Sequence, residues 1–167
     1  RHLLSTYEQV DKTFTMFVQY NWNALSDWSN NLQYLDDTEN MKTLWYEFTR
    51  RKDAWQYQDF YMFNENCDFI TAAGRDGNAP NIQGIFLDMY ATGQPVISSY
   101  IASDSNRRIV FALPMDVPYT INGVTYSGLA VSYNNDVVEK LIAGNIYQGQ
   151  SDCYILTSDG NVLLSLE

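Results

Sequence analysis

The sequence predicts an α+β fold in which long N-terminal helices pack on a five-stranded antiparallel sheet. Two observations predict it. Between Leu4 and Leu35 the apolar residues recur at three- and four-residue spacing, with neither proline nor glycine. After about Tyr57 the texture changes to short β-type runs separated by turn residues. Helices first and strands afterwards, with short helices inserted, favour an antiparallel sheet over βαβ units.

The first helix is read from Leu4, Tyr7, Phe14, Val18, Leu25, Trp28, Leu32 and Leu35, a seam interrupted at Asp11 and Asn21. Asp36 and Glu39 have capping-box spacing and start a second helix, with Met41, Leu44, Trp45, Phe48 and Trp55 on one face. All four tryptophans fall in this half, where they are expected to pack helix on sheet. Residues 59–64 and 67–72 form a hairpin, and "GRDGNAPN" at 74–81 is a loop. Residues 82–91 make a short helix, with Gly93 suited to its C-terminal end. Strands follow at 96–102, 107–115 and 124–133, the last two joined by an Asn122-Gly123 turn. A short helix at 136–143 precedes a closing hairpin, "CYILTSDGNVLLSL". Its pattern repeats that of residues 61–71: Tyr61-Met62-Phe63 corresponds to Tyr154-Ile155-Leu156, and Phe69-Ile70 to Val162-Leu163.

At 167 residues the chain is long enough for one good core, and 46% hydrophobic against 18% charged residues marks it as globular. A net charge of -10 argues against nucleic acid and against an anionic membrane surface as partners. No apolar run is long enough to span a bilayer, so membrane attachment is expected only through segments absent from this chain. Cys67 and Cys153 are too far apart for a Cys-x-x-Cys metal pair. Two buried thiols are favoured over a disulfide, and the cysteines do not settle the compartment.

Chemistry is sparse. His2 is the sole histidine and lies in the first helix, which disfavours Ser–His or Cys–His nucleophiles and His- or Cys-based metal sites. No carboxylate spacing matches an EF-hand, and "GRDGNAPNIQG" lacks the Lys-Ser/Thr of a P-loop. No cofactor is expected. Binding is the better reading. In the 124–133 strand, alternation places Leu129, Val131 and Tyr133 on one face and Gly128, Ala130 and Ser132 on the other. The large residues suit packing on the helices, and the small ones leave room for a ligand or mark a close approach of two elements. Arg75, Tyr100 and Arg108 are polar groups suited to such a pocket, with Arg75 in a lid loop. Together with Ser132, and with Asp136 for an amine, they suggest a carboxylate or zwitterionic ligand.

The order of "FYMFNENCDFITAAG", "GQPVISSYIA", "RRIVFALPM" and "GVTYSGLAVSYNNDVVEKL" behind a long helix resembles Cache domains. These are PAS-like extracytoplasmic sensors of bacterial histidine kinases, chemoreceptors and diguanylate cyclases. The resemblance implies a helical stalk at 1–57, a PAS-like sensor module with a five-stranded sheet at 58–148, and a ligand site on the sheet face away from the stalk. It also implies that the hairpin at 149–167 opens a second module. The amino-acid-binding branch carries Arg-x-Trp-Tyr before the third strand and an Asp after the last. Here Gly84-Ile85-Phe86-Leu87 stands at the first place, a departure, and Asp136 at the second. The expected function is ligand sensing outside the cytoplasm of a bacterial cell, without catalysis. The signal would pass through the N-terminal helix, with a homodimer formed along it. The alternative is a receptor module that binds a partner protein and no small molecule.

Overall fold

The computed structural model describes residues 2–34, 42, 43, 46, 50, 56–80, 83–143, 153–156 and 162–166. The expected second helix and its face fall mostly outside the described residues; those of its positions that are described are helical.

Helix α1 (His2–Leu32) is continuous, as its spacing and freedom from helix breakers require. Its buried face is Val10, Phe17, Asn21, Leu25, Trp28, Ser29 and Leu32, with Phe14, Val18 and Trp22 at its margins. The sheet has six strands, one more than expected: β1 (Asp59–Phe63), β2 (Asp68–Thr71), β3 (Asp76–Asn78), β4 (Val96–Ile101), β5 (Arg107–Ile121) and β6 (Val124–Asn134). Their order is β3-β2-β1-β6-β5-β4, and every pairing is antiparallel. The sixth strand, β3, is a three-residue edge inside the segment expected to be loop. Two short helices complete this body, α2 (Gln83–Thr92) before β4 and α3 (Asn135–Ala143) after β6. The closing hairpin, β7 (Cys153–Leu156) and β8 (Val162–Leu166), is a separate two-stranded sheet.

Alternation divides the sheet into two faces. Phe60, Met62, Ile70, Ile109, Phe111, Leu129, Val131 and Tyr133 point toward α1 and form the main core with it. Phe17 meets Phe111 and Tyr133 edge-on, at ring separations of 5.4 and 5.0 Å, and Trp28 packs on Phe60. Trp22 and Trp28 therefore pack helix on sheet, while Trp45 and Trp55 lie outside the described residues. The α1 seam from Val10 to Leu32 is occupied by its own sheet, and Met16, on the other side of the helix, is 64% exposed.

The opposite face carries a second cluster: Tyr61, Phe63, Val110, Ala112 and Ala130, covered by Phe86 and Met89 of α2. Turn chemistry holds the frame. Asn122 and Gly123 both take positive φ, 50° and 80°, as a tight hairpin between β5 and β6 requires. Gly93, at φ 67°, ends α2 with its N–H on the Met89 carbonyl. Cys67 is a buried free thiol in the β1–β2 turn, at φ 62°. Cys153 stands in β7.

Candidate functional site

On the face away from α1, a cavity of about 310 Å³ opens over one end of the sheet. Its floor comes from three strands. β1 contributes Asp59 and Tyr61, β2 contributes Phe69 and Thr71, and β5 contributes Arg108. Tyr100 of β4 pairs directly with Arg108 and forms the far side. Arg75 and Ala79, from the turn after β2 and the segment after β3, stand on one rim. Ala102 and Ser103 of the β4–β5 turn stand on the other.

The positions follow from register. Tyr61 lies opposite Thr71 on one side and Ala130 on the other. Asp59 lies opposite Ser132, and Ser132 opposite Val110. Arg108 lies between Tyr100 and Asn134. Polar and aromatic side chains of four strands thus converge at the end of the sheet that α2 leaves uncovered. The Gly74 turn, at φ 84°, brings Arg75 back over β2, where its N–H donates to Thr71 Oγ1 at 3.1 Å.

Two residues that line this cavity each carry a buried donor with no hydrogen-bond partner among the described residues, Tyr61 its hydroxyl and Arg108 its Nη1. Tyr61 is 7% and Arg108 6% exposed. Unsatisfied buried polar groups are costly and uncommon, and two of them belong to residues of this one wall. The other terminal nitrogen of Arg108, Nη2, donates to Asp104 Oδ2 at 2.7 Å. That bond, with the Asn106 N–H behind it, holds the Asp104 carboxyl down to about 2. Burial pushes the Tyr61 hydroxyl well above the usual phenol range, and Tyr100 and Asp59 nearby add to the shift. Burial and Asp59 also raise Tyr100, while Arg108 pulls it down. Both phenols therefore stay protonated and able to donate.

Three residues singled out in the sequence, Arg75, Tyr100 and Arg108, line this one cavity. Ser132 and Asp136 do not. Ser132 is fully buried on the same sheet face between Asp59 and Val110. Asp136 is exposed in the first turn of α3, where a carboxylate suits the helix dipole. The carboxylate that does line the cavity is Asp59. The small-residue stripe also has a different use at one end. A Cβ on Gly128 would lie 2.8 Å from Cε1 and Cε2 of Phe63, whose ring stacks on Phe86 at 4.0 Å. There the missing side chain permits a close approach of β1 and leaves no room for a ligand. Asp59, Tyr61 and Phe69 were missed in the sequence. The signal was present: pairing the first hairpin with the last strand puts Asp59 and Tyr61 on the face of Ala130 and Ser132.

Among the described residues no group of three or more His, Cys, Asp or Glu side chains is arranged to hold a metal ion, and no helix is long and apolar enough to cross a membrane. No family model and no curated protein matches this sequence. Solved structures do match its fold. The sensory domain of the Campylobacter jejuni chemoreceptor Tlp3 with isoleucine bound superposes with a TM-score of 0.62 at 9% identity, over 98% of this chain and 71% of that one. The ligand-binding domain of the Pseudomonas aeruginosa amino acid chemoreceptor PctC in complex with GABA gives 0.62 at 12% identity, over 96% and 71%. The sensor domain of the V. cholerae histidine kinase DctB gives 0.59 at 12%, over 98% and 64%. With a long helix packed on an antiparallel sheet, this chain shares the fold of these sensory and ligand-binding domains over nearly its whole length.

Proposed function

We propose that this chain is an extracytoplasmic sensing domain of a bacterial membrane receptor and that it binds a small carboxylate-bearing molecule, zwitterions included, in the cavity on the distal sheet face. The observation that carries this is a pair of buried donors, Tyr61 Oη and Arg108 Nη1, that have no partner among the described residues and belong to two residues lining one cavity. A carboxylate supplies two acceptor oxygens to such donors. Asp59 is the partner for a ligand amine, and Phe69 and the tyrosine rings offer apolar surface to its carbon skeleton. The fold supports the same reading, because structures that share it are described with isoleucine, L-valine and GABA bound. The role is binding without catalysis.

The output runs through α1, which packs along β5 and β6 and is joined to β6 by a buried hydrogen bond from Tyr133 to Asn21. Pairing of two copies along α1 would use the side that carries Met16, since the seam from Val10 to Leu32 faces its own sheet. Thermal unfolding in the presence of amino acids, mono- and dicarboxylates, sugars and polyamines tests the proposal. A ligand that binds only the folded state raises the melting temperature. The expected result is a shift with a carboxylate that disappears in Arg108→Gln. A shift produced only by uncharged or cationic compounds, or by none, refutes it.

A further inference from the structure

The two terminal nitrogens of Arg108 have different surroundings. Nη1 is buried without a partner among the described residues, whereas Nη2 is tied to Asp104 at 2.7 Å. Asp104 is itself fixed. Its Oδ1 accepts the Asn106 N–H at 3.0 Å. The turn around it is closed by the Ala102 N–H on the Asn106 carbonyl and the Ser105 N–H on the Ala102 carbonyl, both at 2.9 Å. Ala102 and Ser103 of this turn line the cavity. One five-residue turn therefore forms a wall and holds one half of the guanidinium fork.

This has two chemical consequences. A carboxylate gripped end-on needs both terminal nitrogens, and Asp104 already holds one of them. The formal charges also balance, with Arg75 and Arg108 set against Asp59 and Asp104. The geometry points to Asp104 as a specificity-determining residue of this cavity. It takes up an N–H of Arg108 Nη2 and leaves Nη1 as the partnerless terminal nitrogen for one carboxylate, and it offsets the positive charge that a second carboxylate would need. Zwitterions and monoanions are admitted and dianions disfavoured. The inference rests on the carboxylate reading of the cavity given above.

Calorimetric titration of the wild type, Asp104→Asn and Asp104→Ala tests it. The probes are the standard L-amino acids and GABA as zwitterions, with succinate and fumarate as dicarboxylates. Asp104 is half exposed, and its asparagine variant retains an oxygen for the Asn106 N–H. The expected result is that the wild type prefers a zwitterion, and that the ratio of dicarboxylate to zwitterion affinity rises about tenfold or more in both variants. A merely structural role for the turn would weaken all probes together and leave that ratio unchanged. An unchanged ratio overturns the inference and leaves the carboxylate site standing. Should the wild type bind none of these probes, the carboxylate site itself fails and the inference falls with it.

Discussion

The Tyr133 hydroxyl donates to Asn21 Oδ1 at 2.8 Å, and both residues are buried, one on β6 and the other in the middle of α1. Asn21 completes the link by donating Nδ2 to the Phe17 carbonyl one turn back, at 2.9 Å. Burial raises the Tyr133 hydroxyl far above the phenol range, so it remains a donor. An asparagine that breaks the apolar seam in the sequence is thus a satisfied polar contact between helix and sheet. It ties α1 to β6, the strand paired between β1 and β5.

Tyr133→Phe should lower stability by about 1–3 kcal/mol, because it leaves Asn21 Oδ1 buried without its donor. Asn21→Leu combined with Tyr133→Phe should recover part of that loss, since removing both polar partners is much cheaper than removing one. Urea unfolding of the two single variants and the double variant measures the coupling. Additive losses would show that the bond does not join helix to sheet.

Gly128→Ala should destabilise by about 1–3 kcal/mol through overpacking. The new methyl group would run into the Phe63 ring, which is held from the other side by Phe86. Phe63→Leu in the same chain should relieve part of the clash, whereas Gly74→Ala, which meets no neighbour within 4 Å, should cost only backbone strain. Melting temperatures of the three variants decide it.

The Asp104–Arg108 pair predicts a pH signature. The folded Asp104 carboxyl is held down to about 2, below its ordinary value. Its contribution to stability is therefore complete above the unfolded value and disappears as pH falls through about 2. The gap in melting temperature between wild type and Asp104→Asn should be constant from neutral pH to about 5 and close between about pH 4 and 2. Added salt should narrow it, because Asp104 is half exposed. A gap that survives at pH 2 would place its origin elsewhere.

Much of this was legible from residue spacing, and the gaps have physical causes. Period-2 alternation placed Leu129, Val131 and Tyr133 toward the helix, as found. The α1 face was only partly legible. Val10 and Phe17 are buried although the apolar pattern did not include them, because the three-four steps ran through Asp11 and Asn21 and counted both as interruptions. β3 is three exposed residues, Asp76, Gly77 and Asn78, whose composition says turn; only the neighbouring β2 makes them a strand. β5 continues past Pro114 to Ile121 because β4 pairs with it only as far as Ala112. From there one edge of β5 has no partner in the sheet, and a residue without an N–H is tolerated. In the cavity, Arg75, Tyr100 and Arg108 were visible as polar groups near turns. Asp59 and Tyr61 were not, since their place depends on a pairing between strands some seventy residues apart, roughly the kind of long-range register that local patterns do not encode.

Tyr61→Phe separates stability from binding. The Tyr61 hydroxyl is buried and has no partner among the described residues, so it carries a desolvation cost that none of their contacts offsets. Phenylalanine keeps the ring, which packs beside Phe63 and Phe69, and removes only the oxygen. Without ligand, the variant should be as stable as the wild type or up to about 1–2 kcal/mol more stable. With a carboxylate ligand the order should reverse, because the donor that would satisfy one ligand oxygen is gone. Affinity should then fall by about tenfold. Denaturant unfolding without ligand and titration with the best carboxylate from the screen read the two quantities separately. A variant that loses stability without ligand would show that the hydroxyl has a structural partner, and unchanged affinity would show that ligands do not reach it.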